Sequence, residues 1–239
     1  MAEPAPEASR RAGEAHTGSS AEGALRPLSA TRRVVARRMA ESSRTIPAVT
    51  LHRTALLATL LERRRQMAAE ARSTPSIDAM LARAVAVALA DFELLNGTFD
   101  ENAMAVRVWP ERHVAVAVDT ERGLTPVVLR RADRRDELEL STELADLVNR
   151  ARGGRLTPED LAGATFTLTN LGSLGIDAFT PIILPPQAAI LGVGRFRVDE
   201  RDVPTTLSLT FDHRIVDGAY AARFLGRVAE SLSEPPGSR

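Results

Sequence analysis

The chain has 239 residues, 44% of them hydrophobic and 26% charged, with 31 basic side chains against 31 acidic ones. That is enough length for one large core, and the balanced charge creates no net field to draw nucleic acid or an anionic membrane. Cysteine is absent and all basic residues are arginine, which excludes disulfides, thiolate metal sites, cysteine nucleophiles, Schiff bases, a P-loop lysine and, within these residues, any lysine to carry lipoate or pyridoxal phosphate.

Residues 1–24 are rich in Ala, Glu, Pro, Gly and Ser and lack an apolar period, so they read as a disordered tail, leaving 25–235 as one domain. A first helix is predicted where Ser29 or Thr31 caps a run with Val34, Val35 and Met39 on one face. Pro47 breaks it, and "AVTLHRT" reads as a strand. "ALLATLLERRRQMAAEAR" is an amphipathic helix whose Arg63, Arg64 and Arg65 form a solvated face. "SIDAMLARAVAVALADFELLNG" is the most apolar helix, capped by Ser76, with Ile77, Met80, Leu81, Val85, Leu89 and Phe92 inward and Gly97 at its end. "RHVAVAVDT" alternates at Val114, Val116 and Val118 as a strand of a covered sheet, and "GLTPVVLR" follows as another. "RRDELELSTELADLVNRAR" reads as a helix, then "GATFTLTNLG", "AAILGVGRF" and "PTTLSLTFDHR" as three strands. A last helix carries Ala222, Leu225, Val228 and Leu232 inward. No 18-residue apolar run and no secretory segment follows Met1. The expectation is a soluble cytoplasmic α/β protein, a mixed sheet packed against helices in a two-layer sandwich.

Several motifs fail. "GVGRF" has Arg197 where a dinucleotide fingerprint needs its third glycine, and "GSLG" is not a nucleophile elbow. The four histidines, His16, His52, His113 and His213, lack metal-ligand spacing, so no metal is expected. "FDHRIVDG" survives. Leu207, Leu209 and Phe211 alternate with Ser208 and Thr210 up to Asp212, which puts His213 at a strand end, and Gly218 opens the next helix. Asp217 and Arg214 are both available as structural partners that would leave the imidazole neutral and fixed, as a base working near pH 7 requires.

"TFDHRIVDGAYAARFL" resembles the D-H-R-x-x-D-G signature of the catalytic domain of dihydrolipoyl acyltransferases, the acyl-transferring subunits of 2-oxoacid dehydrogenase complexes. "GATFTLTNLGSLGIDAFTPIILPPQAAILGVGRF", "PLSATRRVVARRMAESSRTIP" and "HVAVAVDTERGLTPVV" are similar to further blocks of that family, and together they cover roughly residues 26–235. The resemblance implies a chloramphenicol-acetyltransferase-like fold and a homotrimer with sites between subunits. It also implies an acyl-CoA co-substrate, most simply acetyl-CoA, and no bound cofactor. His213 matches the family's general base and Asp217 the carboxylate that orders the loop through an arginine. Thr169 matches a hydroxyl that meets the oxyanion, and Asn170 and Gly172 shape its turn. Such chemistry is direct transfer with no acyl-enzyme.

The sequence also departs from that family. No lipoylatable lysine precedes the domain, "I-P-H" reads Ile46-Pro47-Ala48, an acidic segment is replaced by "HRTALL", and Tyr220 adds bulk on the acceptor side of the site. These departures favour a free-standing specialised-metabolism member, such as a tetronate acetyltransferase of antibiotic biosynthesis. It would O-acetylate a small-molecule or acyl-carrier-protein-bound hydroxyl. The alternative is the acyltransferase core of a dehydrogenase complex with its lipoyl domain on another chain. A third reading is a non-catalytic scaffold, against which His213, Asp217 and Thr169 argue.

Overall fold

A computed structural model describes residues 23–71, 73–120, 123–197 and 202–234; the predicted tail, His16 included, lies almost wholly outside them. The hydroxyl of Ser29 accepts the main-chain N–H of Arg32 at 3.2 Å and starts helix α1, Ala30–Thr45. The predicted apolar face of α1 is not buried within this chain: Ser42 is its one buried residue, Val34 is exposed, and Val35 and Met39 are half-buried.

Strand β1, Ala48–Leu56, leads to α2, Ala58–Ala71, and α3, Ile77–Asp91. The arginines of α2 are not a uniform solvated face. Arg63 pairs with buried Glu137 at 2.7 Å and Arg64 donates to the Pro75 carbonyl at 2.8 Å, whereas Arg65 is exposed beside Glu62. Helix α3 buries nine residues, as its continuous apolar run requires. It stops at Asp91, and Gly97 opens a strand instead of closing the helix. This strand, β2 (Gly97–Asp100), pairs with β3 (Ala105–Val108) as a separate antiparallel hairpin.

The main sheet is completed by β4, Val114–Val118, β5, Thr125–Leu129, β6, Phe166–Asn170, β7, Ala189–Val193, and β8, Pro204–Asp212. Between β5 and β6 lie α4, Glu137–Arg152, started by an Asp136/Glu139 capping box, and the single turn α5, Pro158–Leu161. Helix α6, Gly218–Ser233, ends the described chain. The strand order is β1-β8-β7-β6-β4-β5, with β4, β6 and β7 parallel and the other pairs antiparallel.

One face of this sheet is apolar: Val114, Val116, Phe166, Leu168, Leu191, Leu209 and Phe211 share a core with Met80, Leu89, Leu144, Phe224 and Val228 from the helices. Each such side chain contributes about 1.5–3 kcal/mol of burial. In α6 the inward alanine is Ala221; the predicted Ala222 is exposed, one position out of phase with Phe224, Leu225 and Val228. The other face carries hydroxyls. Thr167, Thr169, Ser208 and Thr210 alternate with the core residues and are nonetheless buried; Ser208 and Thr210 pair with His52 and Thr50 of β1 at 2.9 and 2.8 Å. Phe179 lies over Gly192, where an added Cβ would meet the ring at 2.9 Å, and Gln187 accepts a 2.7 Å hydrogen bond from Thr167. The "GVGRF" glycines thus serve close packing in the sheet.

Candidate active site

Strand β8 ends at Asp212, and the turn it enters presents His213 to solvent. The main chain there is held firmly. His213 N donates to Pro47 O at 3.1 Å, Ile215 N to Asp212 O at 3.0 Å, and the ring of Phe211 lies 5.8 Å from the imidazole. No described residue hydrogen-bonds the imidazole, so the backbone positions it and both ring nitrogens remain available.

The arginine beside it takes a different partner from the one expected. Arg214 engages Asp212, with Nε to Oδ1 at 3.0 Å and Nη2 to Oδ2 at 2.7 Å, a two-pronged ion pair on a carboxylate that is 2% exposed. Among the described residues Asp217 binds no arginine. It caps α6, its Oδ1 accepting the Tyr220 N–H at 2.7 Å. The loop is therefore ordered by two carboxylates doing separate jobs, and the buried one, Asp212, is the residue that sequence reasoning missed. Its signal was present: Asp212 and Arg214 flank the histidine two apart at a strand end, where alternate residues share a side. Gly218 has an ordinary backbone and open space around its Cβ position, so this chain alone places no steric demand for glycine there. Tyr220 turns away from the loop and packs edge-on against Phe92 at 5.3 Å.

Thr169 sits in β6, 6% exposed, and no described residue engages its hydroxyl in a hydrogen bond. Beyond it Asn170 accepts the Gly172 N–H at 2.9 Å and donates to Asp78 Oδ1 at 2.7 Å, tying the turn to the first turn of α3. Gly172 is needed because a Cβ would come within 2.5 Å of Gly194 O. Burial holds the Asp78 carboxyl above the usual carboxylate range, against the hydrogen bond from Asn170 that lowers it. Asp78 and Asn170 line a cavity of about 500 Å³ with Val116, Asp119, Ser141 and Arg152. An acid inside an otherwise apolar helix was the sequence sign of Asp78.

The two halves of the predicted site do not meet within one chain. Thr169 lies opposite Gly192, which lies opposite Ser208, and His213 is five residues further along β8. At ~4.8 Å per strand and ~3.3 Å per residue their backbones are about 19 Å apart, at opposite ends of the sheet. Among the described residues no three His, Asp or Glu side chains converge as a metal set.

A mixed sheet backed by helices, with a histidine on a rigid turn and an unengaged threonine hydroxyl in a central strand, is a fold of the acyltransferase class. Chloramphenicol acetyltransferase shares it, with a TM-score of 0.52 over 82% of this chain at 14% identity, a likeness of fold alone. Residues 21–237 match the model of the 2-oxoacid dehydrogenases acyltransferase (catalytic domain), and the chain belongs to that family. The dihydrolipoyllysine-residue acetyltransferase component of the Bacillus subtilis pyruvate dehydrogenase complex is 35% identical over 219 residues, 87% of this chain and 50% of its own length. The chain thus spans about half the length of the curated relatives it matches. The dihydrolipoamide acetyltransferase of Azotobacter vinelandii, solved to probe a serine, a histidine and an asparagine in its catalytic mechanism, superposes with a TM-score of 0.83. It is 30% identical, covering 89% of this chain and 92% of that one. The truncated catalytic core of the Thermoplasma acidophilum 2-oxoacid dehydrogenase multienzyme complex gives 0.84 at 31% identity, covering 90% and 100%.

These relatives overturn the expectation of a specialised-metabolism O-acetyltransferase. The Bacillus subtilis and Azotobacter vinelandii relatives, 35% and 30% identical, are dihydrolipoyl acetyltransferases, and none of the departures read from the sequence outweighs that. Tyr220 is occupied in packing, and the altered segment after Ala48 forms the expected edge strand, paired along its whole length with β8.

Proposed function

We propose that this chain is the acyl-transferring core of a 2-oxoacid dehydrogenase complex, moving an acetyl group between coenzyme A and a dihydrolipoyl thiol. The observation that carries the reading is the unengaged imidazole of His213, fixed by its main chain at the exposed end of β8. The Azotobacter vinelandii histidine and asparagine are four positions apart, as are His213 and Asp217, and Thr169 is the hydroxyl offered in place of the serine. The lipoyl group arrives as substrate, since no lysine in these residues can carry it.

In the transfer, His213 takes the proton of the attacking thiol, and the thiolate adds to the thioester carbonyl. The hydroxyl of Thr169 donates to the tetrahedral oxyanion. Collapse expels the second thiolate, which takes back the proton from the imidazolium, so that acyl group and proton both balance without an acyl-enzyme. Because His213 and Thr169 are at opposite ends of one sheet, each site draws them from two copies of the chain, which supports a closed homo-oligomer, a trimer in its simplest form.

The test is mass spectrometry of dihydrolipoamide incubated with acetyl-CoA, with the His213→Ala variant as control. S-acetyl-dihydrolipoamide formed only by the native protein is the expected result. A protein that binds acetyl-CoA yet transfers nothing to the thiol rules the reading out.

A further inference from the structure

Among the described residues the β2–β3 hairpin pairs with no strand of the main sheet, and a lone two-stranded hairpin is marginal in water. Its base is nevertheless fixed. Buried Asn96 donates to Trp109 O at 2.8 Å and Glu111 O at 3.1 Å and accepts Trp109 N at 3.1 Å, while the Trp109 indole donates to Thr98 at 3.1 Å. Its turn is tied by Asp100, which accepts Ala103 N at 3.0 Å. Between these two anchors the strand presents one aromatic face, Phe99, and the guanidinium of Arg214 lies 4.4 Å from the centre of that ring.

Arg214 is therefore gripped on two sides. The buried Asp212 carboxylate takes its fork, and the Phe99 ring lies against its charged carbon within cation–π range. The Arg214 main-chain N–H also donates to Asp212 Oδ1 at 3.0 Å. Side chain and backbone of the residue after the base are thus locked to the residue before it. We propose that Phe99 is a positioning residue for the transfer reaction. By holding the Arg214 guanidinium against the hairpin, it keeps the Asp212–Arg214 clasp closed and the intervening His213 in its working orientation. The β2–β3 hairpin then exists as a brace for the catalytic turn.

This inference rests on His213 being the base, so its test includes a readout independent of turnover. Phe99→Leu keeps the bulk and removes the π face; Phe99→Tyr keeps both. The expected result is that Phe99→Leu lowers kcat about tenfold, within the range of one lost cation–π contact, with KM for acetyl-CoA unchanged. It should also speed hydrogen exchange at residues 213–216 several-fold. Phe99→Tyr should restore both values. Arg214→Met, which also strands the buried Asp212 carboxylate, should give larger changes of the same kind, and adding Phe99→Leu to it should cost nothing further, because Phe99 acts only through Arg214. Additive losses, or equal losses in the Leu and Tyr variants, would assign Phe99 to hairpin packing and overturn the proposal. Unchanged exchange and kcat in Phe99→Leu would do the same. If the native protein transfers nothing to dihydrolipoamide, the functional reading fails while the exchange comparison still decides whether the hairpin braces the turn.

Discussion

Separate inactivation of His213 and Thr169, followed by mixing, tests the claim that the site is shared between copies. A general base and an oxyanion donor must each come within ~3 Å of the same reacting group. The two residues are fixed at opposite ends of three adjacent strands by the pairing Thr169–Gly192–Ser208, about 19 Å apart at standard strand spacings. No rotamer bridges that gap. Thr169→Ala alone should lose ~10²-fold in kcat, as for other single oxyanion donors, and His213→Ala ~10²- to 10⁴-fold. In a closed ring where each site takes its histidine from one copy and its threonine from the next, equal mixing leaves one interface in four with both groups native. Co-refolded mixtures should therefore recover about 25% of native activity, far above either parent. The assay is acetyl transfer from acetyl-CoA to dihydrolipoamide, measured after subunit exchange is confirmed by mass. A mixture no more active than its better parent, or a monomeric fraction with full activity, would refute the reasoning.

Two further outcomes concern the turn that follows Thr169. Burial raises the Asp78 carboxyl in the folded chain, so its contribution to stability is greatest at and below the unfolded value near 3.8 and declines as pH rises through the folded one. Asp78→Asn keeps an oxygen to accept from Asn170 and should raise the melting temperature at pH 7–8, with the advantage shrinking as pH falls toward 4; an unchanged or lower value at pH 8 would contradict this. Gly194→Ala would drive a Cβ into the carbonyl oxygen of Asp177, a main-chain neighbour that cannot swing aside. A loss of about 1–3 kcal/mol by urea denaturation is expected, larger than for Gly192→Ala, where the obstacle is the movable Phe179 ring.

Much of the fold was legible because its strands and helices carry unbroken apolar periods. The hairpin at 97–108 was not, since two four-residue strands around "ENAM" show too few alternations to register and gain their order from the Asn96 side chain, whose main-chain partners at 109 and 111 no apolar period marks. In α6 the inward Leu225, Val228 and Leu232 were read correctly, and only the first position was not, because alanines stand at both 221 and 222 and composition cannot tell them apart. At the site, the D-H-R-x-x-D-G spacing marked His213 but left two acids for one arginine. The sharp turn after β8 decides for Asp212, two residues away, and leaves Asp217 to the helix. What spacing could not show at all was distance. The parallel register of β6 with β7, a tertiary fact, separates Thr169 from His213.

Where Gly172 passes beneath Gly194, and Gly194 against Asp177, backbone touches backbone with no side chain between. Such a crossing offers selection almost nothing to vary. The Thr169 end of the sheet is thus the part with least freedom in any drift of substrate range. New specificities would have to be written on the side-chain-lined walls: the cavity bounded by Asp119, Ser141 and Arg152, and the hairpin that faces the catalytic turn.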